Sequence, residues 1–317
     1  MRSKQTLAWM ALLALALAFP FVMRALGLDF YTSVLSRMLI YGLAAVSLNL
    51  ILGYGGLVSF GHAAFMGIGA YTVGILITEG IVNGFVGFAA AMLMSAMFAA
   101  VIGAISLRTR GVYFIMITLA FAQMIYYLVN SVKAYGGDEG LNIRRRSDFF
   151  GINLKDEVAF YPLVLGLLAL TLVFIHRLMR SRFGRVILAI RDDDVRAESI
   201  GYPVYRYKLI LFVMGGAIGG LAGALMVNQQ NYVSPNLLHW TQSGVLMIMV
   251  ILGGVGTLAG GLWGALVLLI LEDLIAELTV HWQFYVGWIL LAVVLLAPRG
   301  LASIRLRRRD RPGGGSS

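Results

Sequence analysis

Long, nearly uncharged apolar runs constrain the fold of this chain more than any other feature. Ten are readable: 7–26, 31–52, 54–78, 84–106, 111–132, 159–179, 208–227, 241–258, 261–280 and 283–298. A helix needs about 20 mostly apolar residues to cross a bilayer. Only helices and closed barrels satisfy their backbone there, and barrel strands are shorter, about ten residues, and alternate. Composition agrees, with 60% of the 317 residues hydrophobic and 13% charged, against about 25% charged in a soluble domain. The mean hydropathy is +0.85. The fold class is therefore all-α, a polytopic membrane bundle of about eight to ten spans. A soluble enzyme, a secreted domain and a single-pass receptor are excluded. The first run follows Arg2 and Lys4 as a signal peptide would. Phe19-Pro20-Phe21 continues it without a polar cleavage region, so it reads as a span.

The net charge of +10 is a topology signal. With the N-terminus in the cytoplasm, eighteen basic residues fall inside and six outside, and Arg37 lies within a span. Seven outside acids more than offset the outside bases. The positive-inside rule then puts both termini in the cytoplasm. Residues 1–300 form one transmembrane domain, with an outside loop at 133–158 and an inside loop at 180–207. Residues 301–317 read as a basic, flexible cytoplasmic tail, whose Arg305, Arg307, Arg308 and Arg309 suit anionic lipid better than nucleic acid.

Motifs for catalysis are absent. There is no cysteine and no Gly-Lys pair, so there is no thiolate chemistry and no phosphate-loop lysine. His62, His176, His239 and His281 are far apart, and no metal or cofactor is expected. Ser59 and His62 stand three apart on one helical face, but no nucleophile elbow surrounds them. Packing or pore lining is the simpler role.

Small residues form stripes at four-residue spacing: Gly55, Ser59, Ala63, Gly67; Gly215, Gly219, Gly223 beside Gly216, Gly220, Ala224; and Gly256, Gly260, Gly264. Such stripes let backbones approach closely, for static packing or for spans that rock. Asn49, His62 and Gln123 are polar groups well inside spans, costly in hydrocarbon, and each needs a partner or a water-filled path. Arg37 reads as snorkelling, and Glu272, Asp273 and Glu277 as interfacial. The run 51–56 echoes 251–256, but it pairs spans of the same direction, and a glycine-rich chain yields such matches by chance.

The inside segment 180–207 is the most charged. Asp192 or Asp193 suits a helix cap, Gly201 a stop, and Pro203 prevents continuation. The result is a helix of about eight residues, too short to stand alone, carrying buried-type Val195 and Ile200. A docking element and a plain connector both fit.

Several motifs now point to one family. They are Ser47-Leu48-Asn49-Leu50, Gly53-Tyr54-Gly55-Gly56, Ser59-Phe60-Gly61-His62, Gly136-Gly137 with Gly140, Phe183-Gly184-Arg185 through Arg191, Gly201, Tyr207-Lys208-Leu209 and Gly253-Gly254 with Gly256-Thr257. Over about 35–300 the chain resembles the permeases of branched-chain amino acid ABC importers, most closely the M-type subunit. The resemblance implies a bacterial inner-membrane, multi-pass permease without ATPase activity of its own. It implies a second permease subunit, two cytoplasmic ABC ATPases and a periplasmic substrate-binding protein. It also implies coupling to the ATPases through Arg191, Asp192, Asp193, Asp194, Val195, Arg196, Glu198 and Gly201. Asn49, Ser59, His62 and Gln123 become candidates for the translocation path. The triple acid at 192–194 is more acidic than the family pattern, and Arg144-Arg145-Arg146 is unusual in the outside loop. Urea and short-amide importers have similar permeases. An ion-coupled transporter would have to use Glu272, Asp273 or Glu277.

Overall fold

The computed structural model describes residues 20–143, 145–149, 152–153, 157–279 and 281–296. The first apolar run up to residue 19 and the tail 301–317 lie outside the described residues.

The described chain is a helical bundle. In order it forms α1 (Asp29–Asn49), a π-helical turn (Leu50–Tyr54), α2 (His62–Thr78), α3 (Gly84–Ser106) and α4 (Val112–Ser131). Then come α5 (Glu157–Arg180), α6 (Arg182–Asp192), α7 (Asp194–Ser199), α8 (Val204–Gln230), α9 (Trp240–Gly253), α10 (Gly260–Leu278) and α11 (Trp282–Leu296). Among the described residues five helices, at Phe30–Tyr54, Gly84–Ser106, Val112–Ser131, Glu157–Arg180 and Val204–Gln230, are long and apolar enough to cross a membrane. The molecule is a polytopic all-α membrane protein. Side-chain caps start several helices: Asn83 accepts from the amides of Phe85 and Val86 ahead of α3, and Ser181 from that of Gly184 ahead of α6.

The bundle has a centre and a rim. The apolar windows of α1 and α8 are each 78% buried, whereas that of α4 is only 22% buried. The rim helix α4 points Met116, Met124, Tyr127 and Leu128 outward, as a lipid-facing surface requires. The two glycine stripes of α8 explain its central place, because each serves a different neighbour. A Cβ on Gly223 would clash with the backbone of Met66 in α2, and one on Gly219 would touch His62 and Phe65 of the same helix. One on Gly216 or Gly220 would strike Ala99 or Ser95 in α3.

The other two stripes differ from expectation. The run 54–78 is not one helix, because the π-helical turn ends at Tyr54 and α2 begins at His62. Gly55 and Ser59 therefore lie in the intervening loop, and only Ala63 and Gly67 share a helical face. Similarly, α9 stops at Gly253 and α10 starts at Gly260, so Gly256, at φ +76°, belongs to the link. Gly264 meets the backbone of Met249 across the α9–α10 contact. Glycines at positive φ relieve the steric cost of leaving a helix so abruptly.

Beyond the C-terminal end of α8 lies the 133–158 loop. Its strand β1 (Leu141–Asn142) pairs antiparallel with β4 (Tyr232–Val233), and β2 (Asp148–Phe149) with β3 (Ile152–Asn153). We call this the loop end of the bundle and the opposite one, bearing α6 and α7, the hairpin end.

Candidate functional site

At the hairpin end α6 is amphipathic, burying Gly184, Ile187 and Ile190 on one side. Asp193 ends α6 and caps α7, its Oδ1 accepting from the Arg196 amide at 3.0 Å. Gly201, at φ +94°, closes the element. The short helix thus runs 194–199, six residues instead of eight, and Arg191 and Asp192 belong to the last turn of α6. Val195 and Ile200, expected as buried-type residues, are 59% and 70% exposed. Ala197 is the buried residue of α7. Asp193, Arg196 and Glu198 are exposed beside them.

Asp194 anchors the hairpin to the bundle. It lies 3.3 Å from Lys208 Nζ and 3.8 Å from Arg110 Nε. Desolvation works against its ionised form, yet the hydrogen bond and charge of Lys208, with the charge of Arg110, hold its carboxyl below the ordinary 3.8. A cavity of about 440 Å³ opens here, lined by Gly56, Leu57, Arg110, Phe114, Asp194 and Lys208 among others.

Arg191 points inward to the break after α1. Its Nη1 donates to Gly53 O at 2.9 Å, and its Nη2 stands 3.3 Å from Asp192 Oδ1. Asn49, 1% exposed, spans both breaks: its Nδ2 donates to Thr257 O at 2.7 Å and its Oδ1 accepts from the Gly256 amide at 2.9 Å. The segments 51–56 and 251–256, which echo one another in sequence, therefore meet in space. A Cβ on Gly53 would fall on Asn49 Oδ1 and the Gly256 amide nitrogen.

The remaining path candidates separate. His62 is fully buried, with Nε2 2.7 Å from Ser47 Oγ of α1. Ser59 accepts from the Gly61 amide at 3.3 Å. The two do not pair, so the nucleophile-and-base arrangement is not formed. Gln123 lies on α4 with its Oε1 enclosed and unpaired among the described residues. It makes no described hydrogen bond to Asn49, Ser59 or His62.

Two ion pairs were not legible as pairs. Arg37, instead of snorkelling, donates through Nη2 to Asp273 Oδ1 of α10 at 2.8 Å. Arg146, unusual in a loop, has a side chain only 8% exposed. It pairs with Glu157 at 2.8 Å, donates to Gln229 O and lies over the Phe160 ring. A charge inside an apolar run, or a third arginine in a neutral loop, is the signal that such a partner exists. Neither names the partner.

A family model described as the permease component of a branched-chain amino acid transport system matches residues 30–297. The high-affinity branched-chain amino acid transport permease LivM of Salmonella typhimurium is 30% identical, over 94% of this chain and 75% of its own length. LivM of Escherichia coli K12 gives the same identity and coverage. The high-affinity branched-chain amino acid transport permease LivH of Escherichia coli K12 is 26% identical over 82% of this chain and 90% of its own. No solved structure matches the chain.

Proposed function

This chain belongs to the family of branched-chain amino acid transport permease components, and from that membership we propose that it forms one membrane half of an ATP-driven importer for branched-chain amino acids. Its M-type character follows from its likeness to LivM, and the partner half is a second permease of the LivH kind. Two cytoplasmic ABC ATPases bind the hairpin end, and a periplasmic binding protein delivers substrate to the loop end. The protein sits in a bacterial inner membrane with both termini in the cytoplasm, and it hydrolyses no ATP itself.

The hairpin carries this reading. A six-residue helix is far below the length that is stable alone in water. Here it is capped at Asp193, stopped at Gly201 and held by Asp194 against Lys208 and Arg110. It presents Val195 and Ile200 to solvent among charged neighbours. Large exposed apolar groups rimmed by charge mark a protein contact, and ion pairs at its rim steer association. Arg196 and Glu198, with Asp193, form that rim. Asn49, Ser59, His62 and Gln123 remain candidates for the path, a role that Asn49 and His62 would serve through the contacts they make between α1, α2 and the α9–α10 link.

Reconstitution tests the proposal. The chain, the second permease, both ATPases and the binding protein are placed in proteoliposomes, and uptake of leucine, isoleucine, valine and urea is measured. ATP- and binding-protein-dependent leucine uptake is expected. Urea uptake in its place would move the protein to the short-amide importers. Uptake driven by a proton or sodium gradient without ATP would overturn the importer reading.

A further inference from the structure

We propose that Arg191 is a positioning residue that couples the docking hairpin to two interrupted spans at once, so that displacement of α7 shifts the α1 break and the α9–α10 break together. The inference rests on the importer reading and adds the residue through which motion enters the bundle.

Chain geometry makes Arg191 the connecting part. It lies in the last turn of α6, two residues before Asp193, the cap on which α7 is built. Ile187, one turn earlier, and Ile190, the residue just before Arg191, are buried, so this last turn moves with a rigid helix and not as a free arm. The side chain, 38% exposed, nevertheless leaves the hairpin and reaches the α1 break, where Nη1 takes the Gly53 carbonyl at 2.9 Å. That carbonyl belongs to the final turn of the span that starts at α1, where carbonyls have no intrahelical donor and the helix end is partly negative. A guanidinium is suited to it by charge and by its planar fork.

The slot that receives the arginine is built from the same glycines that break the spans. A Cβ on Gly56, at φ +67°, would come within 3.0 Å of Arg191 Cγ. One on Gly256 would stand 3.5 Å from Arg191 Nη1 and 3.2 Å from Gly53 O. Asn49 then binds the Gly256 amide and the Thr257 carbonyl, so the α9–α10 link is tied to the α1 end at which Arg191 pulls. Three chain segments, around 53–56, 191 and 256–257, therefore share one polar junction inside a glycine-walled space. A residue that merely stabilised the hairpin would need no contact with either break. A residue that merely capped α1 would need no place beside the α7 cap.

The test uses the full complex with its ATPases. The chain has no cysteine, so cysteines at Ser199→Cys on α7, Val255→Cys in the α9–α10 link and Leu93→Cys on α3 can be introduced and spin-labelled in pairs. All three positions are exposed. In the parent complex the 199–93 and 255–93 distances should both change between nucleotide-free and ATP-bound states. In Arg191→Ala the 199–93 change should persist, and the 255–93 change should vanish. Uptake per ATP hydrolysed should fall at least about fivefold, the lower end of a typical coupling between sites. Arg191→Lys, which retains the cation, should restore part of it, and it is scored in the same way if Arg191→Ala fails to assemble. An unchanged 255–93 response or unchanged uptake per ATP in both variants overturns the coupling role of Arg191 alone. Failure of the parent complex to bind ATPase overturns the importer reading and this role with it.

Discussion

At its C-terminal end α8 runs into an enclosed polar cluster, and at its N-terminal end it meets a hairpin held by a partly solvated ion pair. In the first, Asn228 accepts from the Ser147 amide at 2.7 Å and donates to Ala224 O, while Gln229 donates to Ser33 O at 2.7 Å. Arg146 joins Glu157, Gln229 and Asn231 from its buried position. In the second, Asp194 and Lys208 are 25% and 18% exposed, and the nearby Val195 and Ile200 face solvent. The pairs in this cluster fix the loop end, although Glu157 Oε2 and Gln229 Oε1 are enclosed without a hydrogen-bond partner among the described residues. Asp194 and Lys208 are about as enclosed as Glu157, but the second cation, Arg110, is 68% exposed against 8% for Arg146, and pairs to solvated cations contribute less, which leaves the hairpin end freer to change partners. One helix thus joins a fixed end to an uncommitted one.

The largest effect should come from breaking the fixed end. Arg146→Ala leaves Glu157 as a largely buried charge without its partner, and losses of that kind cost about 3–5 kcal/mol. The melting temperature of the purified chain should drop accordingly, and a drop no larger than that of a hairpin variant would break the comparison. Asn228→Ala strands the buried Ser147 amide and should cost about 1–3 kcal/mol by the same measurement.

Smaller effects belong to the hairpin end. Asp194→Asn should cost about 0.5–1 kcal/mol, and this difference should fade in high salt while that of Arg146→Ala persists. The pH dependence has a fixed sign. Because the carboxyl of Asp194 lies below its ordinary value in the folded state, its stabilisation is full above 3.8 and is lost as pH falls through the depressed value. Asp194→Asn should remove that acid limb from a stability-against-pH curve. The smallest change in stability, within about 0.5 kcal/mol, is expected for Val195→Ser combined with Ile200→Ser, since both side chains are already in water. That variant should nonetheless lose ATPase co-purification. A melting temperature lowered as far as in Arg146→Ala would mean that the hairpin end is also a sealed part of the fold.

What could be read from sequence was what local chemistry controls. Apolar runs located the spans, and Asp193 and Gly201 marked the ends of the short helix, because a cap and a stop act within four residues. The preceding helix α6 was not separated from its loop, since its apolar run Val186–Ile190 is only five residues long and arginines flank it. Adjoining apolar runs mark the two breaks only as points near 53 and 259, and glycine, which leaves apolarity intact while ending a helix, hides their extents of 55–61 and 254–259. Arg37 and Asp273 stand 236 positions apart, and nothing in either neighbourhood names the other. Asn49 was legible as a polar group needing a partner. That its partner is a backbone link some two hundred residues away follows only from the packing of α1 against α10.

The glycine faces of α8 have a consequence for friction. Interlocked side chains resist shear because each must climb out of one staggered rotamer well before entering the next. Where Gly219 and Gly223 meet α2, and Gly216 and Gly220 meet α3, the α8 side of the contact has no rotamer to change. A small axial shift there exchanges one set of dispersion contacts for an equivalent set. Resistance to such a shift then falls on the polar contacts at the two ends of the helix and on Phe212, which packs edge-on against Phe65 and Phe114, and the glycine-faced stretch between adds little to it.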